Sequence, residues 1–447
     1  MKTKLWPELS GGQWVGSNVP MFVSAMANDS RTIKPGECFL AINAVRDGHD
    51  FLADAERNGA GCAIVSRVVE GVSIPQLLVD EVLAAFRRIV KAHRNDFRGP
   101  IVGLTGSYGK TSTKDLMRLL FGPRAMATVA NLNNTLGVPL MLSKLNEDND
   151  IGLIECGVDR PGEMDEILDV LNPTLGVVTG LTPVHASRFG SMEKIAEEKS
   201  KMLTRALNNG GLAIFPEECL NFKPFKEIES SSIVVSDGKV AENYVTYGQL
   251  EDGVMVHSSE FGEEFYALPS MSHGQMRNCV LGIFLARKAG IDRALLEARL
   301  GNWKPSKMRG EIIRSGEKTV YLDCYNANPA SMMDAISNFK NMFREPGRTF
   351  IIGSMLELGD RSYELHNSLG QNILPDEKDL VVLIGAYADA VMEGIIKSNS
   401  KCENIYVFRD TAAAAKTIAT LATNTIFLKG SNFYELWNLL PSMDIEY

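Results

Sequence analysis

Gly103-Leu104-Thr105-Gly106-Ser107-Tyr108-Gly109-Lys110-Thr111-Ser112-Thr113 decides how the middle of this chain folds. An apolar run, Pro100-Ile101-Val102, precedes it, and a helical pattern, Lys114-Asp115-Leu116-Met117-Arg118-Leu119-Leu120, follows. A glycine-rich turn between strand and helix aims backbone N–H groups and a helix N-terminus at one point, which suits a polyphosphate. Lys110 can reach β- and γ-phosphates, and the Thr111 hydroxyl is placed to bind Mg²⁺. A strict Walker pattern has glycine where this chain has Leu104. The spacing therefore predicts a nucleoside-triphosphate site on Thr105, Gly106, Ser107, Gly109, Lys110, Thr111 and Ser112.

Outward from that loop the chain reads as three α/β blocks, spanning 1–97, 98–304 and 305–447. A length of 447 residues exceeds one comfortable core, since domains run to about 100–200 residues. In the first block, Cys38-Phe39-Leu40-Ala41-Ile42 and Cys62-Ala63-Ile64-Val65 read as strands. A helix-like stretch from Glu81 to Arg94 closes it, with apolar Val82, Leu83, Phe86, Ile89 and Val90 at helical spacing. In the second block the runs 151–154, 175–178 and 212–215 predict buried parallel strands. Short alternating runs between 233 and 270 predict an antiparallel insertion, and a helix is expected over 278–289. In the third block five strand cores, 319–322, 349–352, 380–384, 405–408 and 425–428, predict a second, Rossmann-like doubly wound sheet.

With 45% hydrophobic and 23% charged residues, the composition is that of a globular protein, and a net charge of −9 argues against broad nucleic-acid binding. Seven scattered cysteines, never spaced Cys-x-x-Cys, fit reduced thiols in a cytoplasmic protein better than a disulfide or zinc framework. The start of the chain lacks the apolar core of a signal peptide, and no run is long enough for membrane insertion.

Other polar groups fall after strands, where open α/β sheets place ligands. Glu155 follows 151–154 and His185 follows 175–178; each is either a metal ligand or a structural cap or loop group. Asn131, Asn133 and Asn134 are either Asx turns or amide contacts to a substrate with peptide carbonyls. Asp323-Cys324-Tyr325-Asn326-Ala327-Asn328-Pro329 faces the same choice. Lys199 sits in a charged helical pattern, which by itself predicts a solvated face with Glu–Lys pairs such as Glu197 and Lys201.

Taken in order, these motifs resemble the Mur ligase family nearly end to end. The resemblance rests on Asn28-Asp29-Ser30-Arg31, Asp47-Gly48-His49-Asp50-Phe51, the phosphate loop and Asn131 to Pro139. It continues through Pro161-Gly162-Glu163, His185 to Ser191, Tyr325 to Pro329, Met355 to Gly359 and Lys429-Gly430-Ser431. It implies an ATP-dependent ligase, and Tyr-Asn-Ala-Asn-Pro favours the type that joins D-alanyl-D-alanine to UDP-N-acetylmuramoyl-tripeptide. It further implies that Ser30 and Arg31 hold the UDP end, and that Asn278, Arg309 and Asp323 lie at the nucleotide. Lys199 falls where the family carries a carbamylated lysine, which with Thr111, Glu155 and His185 would hold two Mg²⁺ ions. Lys110, Glu155, His185 and Lys199 are then the catalytic set, and Asn131, Asn133, Asn134, Tyr325, Asn326 and Asn328 the substrate contacts, in a chain expected to act as a monomer. Ser187, Ser354 and Asn432 depart from the family pattern, and the segment 41–47 runs one residue short. A ligase of the same fold adding a single amino acid, and a nucleotide-dependent switch, are the alternatives.

Overall fold

The first sheet forms because three short apolar strands, Cys38–Leu40, Cys62–Val65 and Gln76–Leu78, bury both faces. Together with Gln13–Val15 and Met26–Ala27 they make five strands in the order 13–15, 76–78, 62–65, 38–40, 26–27, all parallel except the first. The helix Val82–Asp96 is capped by the Glu81 carboxylate, which accepts from the N–H groups of Leu83 and Ala84. Its buried residues Val82, Phe86, Ile89 and Val90 fill one core shared by the first sheet and by Val138, Met164 and Ile167 of the second block. Apolar burial at helical spacing thus welds the first block to the second. The computed structural model describes residues 1–183, 186–398 and 400–447, without the side chains of residues 186 and 187.

The central sheet has nine strands, in the order 262–267, 253–258, 244–249, 233–236, 212–216, 175–178, 101–105, 151–155, 125–127. The antiparallel insertion expected over 233–270 is narrower than its sequence suggested and does not stand apart. Ile233–Ser236 and Tyr244–Gln249 continue the parallel sheet, and only Gly253–Ser258 and Gly262–Ala267 add antiparallel hairpins at its edge. Leu104 pairs with Glu155, and Thr105 with Val178, so three strands end at one sheet edge. A nearly all-round buried helix, His273–Lys288, packs against the helix Lys110–Phe121 that follows the phosphate loop. It begins five residues before the expected start. Ser272 and Gln275 form a capping box there, a signal that Gly274 obscures in a periodicity reading.

The third sheet has the order 311–315, 318–323, 425–429, 349–353, 380–384, 405–408, and all five expected strand cores are present. Only the pair Glu311–Ser315 and Lys318–Asp323 is antiparallel. Asp323 and Lys429 end neighbouring strands in register, which brings a carboxylate and an amine to the edge facing the central block. Among the described residues, no helix is long and apolar enough to cross a membrane.

Candidate active site

The phosphate loop is shaped by two glycines that nothing larger could replace. Gly106 has φ +148°, and a Cβ there would lie 2.1 Å from the Thr179 hydroxyl. Gly109 has φ +76°, and a Cβ would lie 2.3 Å from the Asn278 side-chain nitrogen. Left-handed backbone and close approach together demand glycine at both. Leu104, the departure from the Walker pattern, is a buried strand residue whose partner is Glu155, so no turn is needed there.

At the start of the following helix, Lys110 donates to the Gly106 carbonyl at 2.7 Å. Burial lowers its pKa most, with the nearby Arg309 guanidinium adding to the effect and Glu155 opposing it. The Thr111 hydroxyl donates to Glu155 Oε2 at 2.9 Å and accepts from Arg309 Nη2 at 3.1 Å. Asn133 Nδ2 donates to the other Glu155 oxygen at 3.0 Å. Glu155 is only 3% exposed, so its position after strand 151–155 is a built one and not a solvated cap. The hydroxyl and carboxylate oxygens of Thr111 and Glu155 converge beside a polyphosphate loop. That hard-oxygen donor pair fits magnesium.

Lys199 departs from the solvated face that its charged neighbours suggest. It lies on the helix Met192–Asn208, is 4% exposed, and lines a cavity with Gly106, Lys110, Asn133 and Asn134. Burial, with a second contribution from the Lys110 charge, pushes its pKa down to about 7. The expected partner of Glu197 goes elsewhere: Lys201 bonds Glu198 and Asp165, both at 2.7 Å. A buried amine near neutrality is a nucleophile and not a fixed cation, which is what carbamate formation requires. His185 lies outside the described residues.

A neighbouring cavity is lined by Ser107 to Thr113 from the central block and by Arg309, Asp323, Tyr325, Asn326, Asn328 and Lys429 from the third. Asn278 lines it too; its Oδ1 is buried with no hydrogen-bond partner, as expected of a group waiting on a ligand. Arg309 stacks over the Tyr325 ring at 3.9 Å, and the Tyr325 hydroxyl donates to Asn131 Oδ1 at 3.0 Å. Asp323 is held by Lys429 at 2.8 Å.

Several predicted site residues are already engaged locally. Asn134 Oδ1 accepts from Leu136 and Gly137 N–H, Asn328 Oδ1 caps the helix Pro329–Met342, and Asn326 Oδ1 accepts from Ala327. Thr105 is buried in its strand, with its hydroxyl unpartnered. Ser30 and Arg31 line neither cavity: Ser30 is buried, and Arg31 pairs with Asp29 at 2.7 Å on the surface of the first block. Ser354 is buried, its hydroxyl accepting from Tyr387 N–H at 3.0 Å.

Sequence reasoning missed Lys429 as a site residue, although its Lys-Gly-Ser motif was visible. It also missed Asp334 and Ser272, which meet across the two blocks at 2.6 Å. Nothing local marks those two, because the contact spans 62 residues.

Residues 104–286 match the Mur ligase middle domain, and residues 308–432 match the Mur ligase, glutamate ligase domain. The chain is similar to the UDP-N-acetylmuramoyl-tripeptide--D-alanyl-D-alanine ligase of Rickettsia prowazekii (strain Madrid E), at 30% identity covering 83% of this chain and 85% of that protein. The ligase of the same name from Bacillus subtilis (strain 168) is 28% identical over 85% of this chain and 84% of its own. A crystal structure of MurF from Acinetobacter baumannii superposes with a TM-score of 0.83 at 26% identity, covering 99% of this chain and 98% of that one. With both domain matches in place and relatives spanning most of its length, the chain belongs to the Mur ligase family.

Proposed function

We infer that this chain is an ATP-dependent ligase that joins D-alanyl-D-alanine to UDP-N-acetylmuramoyl-tripeptide, giving the UDP-linked pentapeptide, ADP and phosphate for peptidoglycan synthesis. The observation that carries the reading is the meeting of Lys110 and the buried Lys199 on one cavity, with Glu155 bridging Thr111 and Asn133 beside it. The names of curated relatives matching 83–86% of the chain support the substrate pair.

A carboxylate is a poor electrophile and hydroxide a poor leaving group, so the acid needs activation. The tripeptide carboxylate attacks the γ-phosphorus of ATP, forming an acyl phosphate and releasing ADP. The amine of D-alanyl-D-alanine then attacks the acyl carbon; the tetrahedral intermediate collapses, phosphate leaves, and the amine proton is lost. Lys110 stabilises charge on the transferring phosphoryl group, and the loop N–H groups orient the phosphate chain. Asn278, Arg309 and Asp323 serve the nucleotide, and Tyr325 orders Arg309 through its ring. Asn131, Asn133, Asn134, Asn326 and Asn328 face the peptide; of these Asn133 acts through Glu155, and Asn328 mainly sets its helix. Ser30 and Arg31 bind the UDP end on the first block. Thr111, Glu155, His185 and a carbamylated Lys199 would hold two magnesium ions, which supply neutralisation of phosphate charge.

Seven buried cysteines, none in a disulfide, support a reducing cytoplasmic setting, in which the chain acts as a monomer. The test is the mass of the product formed from ATP and a defined UDP-tripeptide, with D-alanyl-D-alanine compared against single amino acids. Oxygen-18 in the tripeptide's terminal carboxylate should appear in the released phosphate. Product only with a single amino acid would overturn the dipeptide assignment, and nucleotide-dependent binding without amide product would overturn the ligase.

A further inference from the structure

The phosphate loop carries one bulky side chain, Tyr108, and the reaction scheme above gives it no task. Its ring is wedged against the backbone of Gly180, where a Cβ would lie 2.7 Å from the ring and its hydroxyl. Its hydroxyl is held from two sides: it donates to Glu218 Oε1 at 2.8 Å and accepts from Arg277 Nη2 at 2.9 Å. Arg277 pairs with the same Glu218 carboxylate and donates to the Thr179 carbonyl at 2.9 Å. The Thr179 hydroxyl in turn donates to the Tyr108 carbonyl, and Ser107 N–H donates to the Gly180 carbonyl at 2.8 Å. Arg277 is 4% exposed, so these bonds form largely out of water.

The reason to fix this loop is physical. Its flanking glycines, Gly106 and Gly109, give the backbone freedom that must be surrendered when N–H groups converge on phosphates. A loop already held in place surrenders less on binding. We propose that Tyr108, Arg277 and Glu218 form a clamp that presets the phosphate loop for nucleotide, with Tyr108 as its positioning residue. Tyr108 lines the nucleotide cavity, whereas Lys199 lines the other. The proposal rests on the nucleotide-dependent ligase reading and deepens it.

Because the clamp acts equally on bound ATP and on the transition state, it governs affinity and not the chemical step. Tyr108→Phe keeps the ring and removes both hydroxyl bonds. It should raise KM for ATP and Kd for ADP by roughly five- to tenfold, the size of one ordinary net hydrogen bond. Its kcat at saturating ATP should stay within about twofold, with KM for both other substrates unchanged. Glu218→Gln keeps an acceptor but weakens the hold on Arg277, and should give a smaller rise of the same kind. A purely structural role would lower the melting temperature of Tyr108→Phe while leaving ADP affinity unchanged, and that result overturns the clamp. A loss confined to kcat overturns it equally. Wild-type protein that binds ADP but forms no amide would instead fail the ligase reading, and the ADP affinities of the variants would still decide the clamp.

Discussion

Replacing Lys199 tests the feature of this site that departs most from ordinary side-chain chemistry. A lysine at its usual pKa of 10.5 is neutral at pH 7 in about three molecules per ten thousand; at about 7 it is neutral in about half. Burial thus raises the amine available to react with CO₂ by about three orders of magnitude. Carbamylation joins neutral amine and CO₂ and releases a proton, so it is favoured as pH rises through 7 and fails as pH falls below it. At fixed CO₂ the carbamate, and with it turnover, should therefore drop by up to about a hundredfold per unit on the acid side of 7, one proton being lost from the ammonium and one on joining CO₂, and turnover should recover with added bicarbonate in CO₂-depleted buffer. Lys199→Ala should lose about 10²–10³-fold in kcat, as expected when a preorganised charge beside a transferring phosphoryl group is removed. It should keep ADP affinity within a few-fold of wild type, because Lys199 lines the second cavity and not the nucleotide one. The assays are phosphate release across pH and ¹³C NMR of protein equilibrated with ¹³C-bicarbonate. Wild-type turnover in Lys199→Ala, or no Lys199-dependent carbamate signal at pH 8, would refute the reasoning.

Three further outcomes are expected. Asn278→Ala removes the unpartnered buried Oδ1 at the nucleotide cavity, so KM for ATP should rise roughly tenfold with little change in stability, measured by steady-state kinetics and thermal melting. Arg348→Met strands Asp379, which is fully buried and bonded to Arg348 at 2.7 Å; urea unfolding should show a loss of about 3–5 kcal/mol. Burial alone would raise the Asp379 pKa, but the bonds from Arg348 outweigh it and hold it below 3.8. The pair's stabilisation is therefore present above about pH 4 and is lost as pH falls through the lowered value; Arg348→Met should flatten that acid limb. Glu155→Gln keeps the shape but removes a charge that faces Thr111 and Asn133, and should raise the magnesium concentration for half-maximal activity by about 10–100-fold.

What could be read from the sequence was what local chemistry enforces. Gly106 and Gly109 announce a turn because only glycine tolerates their backbone and neighbours, and the five strand runs of the third sheet are apolar enough to be unmistakable. Glu155 and Asp323 could be placed at sheet edges from strand endings alone. Lys199 could not. Its burial comes from the helix 192–208 lying over the central sheet, where a Cβ on Gly103 would collide with Met202, while its sequence neighbours remain charged. The Tyr108–Arg277 contact spans 169 residues and Ser272–Asp334 spans 62, so neither leaves a trace in any short window. Asn328 shows the opposite limit. An Asn before Pro-Ala-Ser is a helix cap by local rules, and the structure uses its amide oxygen that way even though the residue also lines a cavity.

The charge arrangement links the two blocks to the reaction. The chain as a whole carries −9, yet Lys110 and Lys199 from the central block and Arg309 and Lys429 from the third line the two adjoining cavities, interleaved with the acids Asp159, Glu163, Glu155, Asp323 and Asp334. Their mutual repulsion is already felt: Arg309 lowers the Lys110 pKa, and Lys110 lowers that of Lys199. Where neighbouring cations repel one another in this way, a phosphate chain relieves repulsion as well as adding attraction. Two of these cations reach the site only when the third block is seated, as the Arg309–Thr111 bond shows. A polyphosphate that contacts both blocks therefore binds the seated arrangement better than the separated one, and favours it by that difference in affinity. The same seating covers the acyl phosphate, whose hydrolysis would waste the nucleotide. Nucleotide binding and exclusion of water are in this way two consequences of one charge distribution.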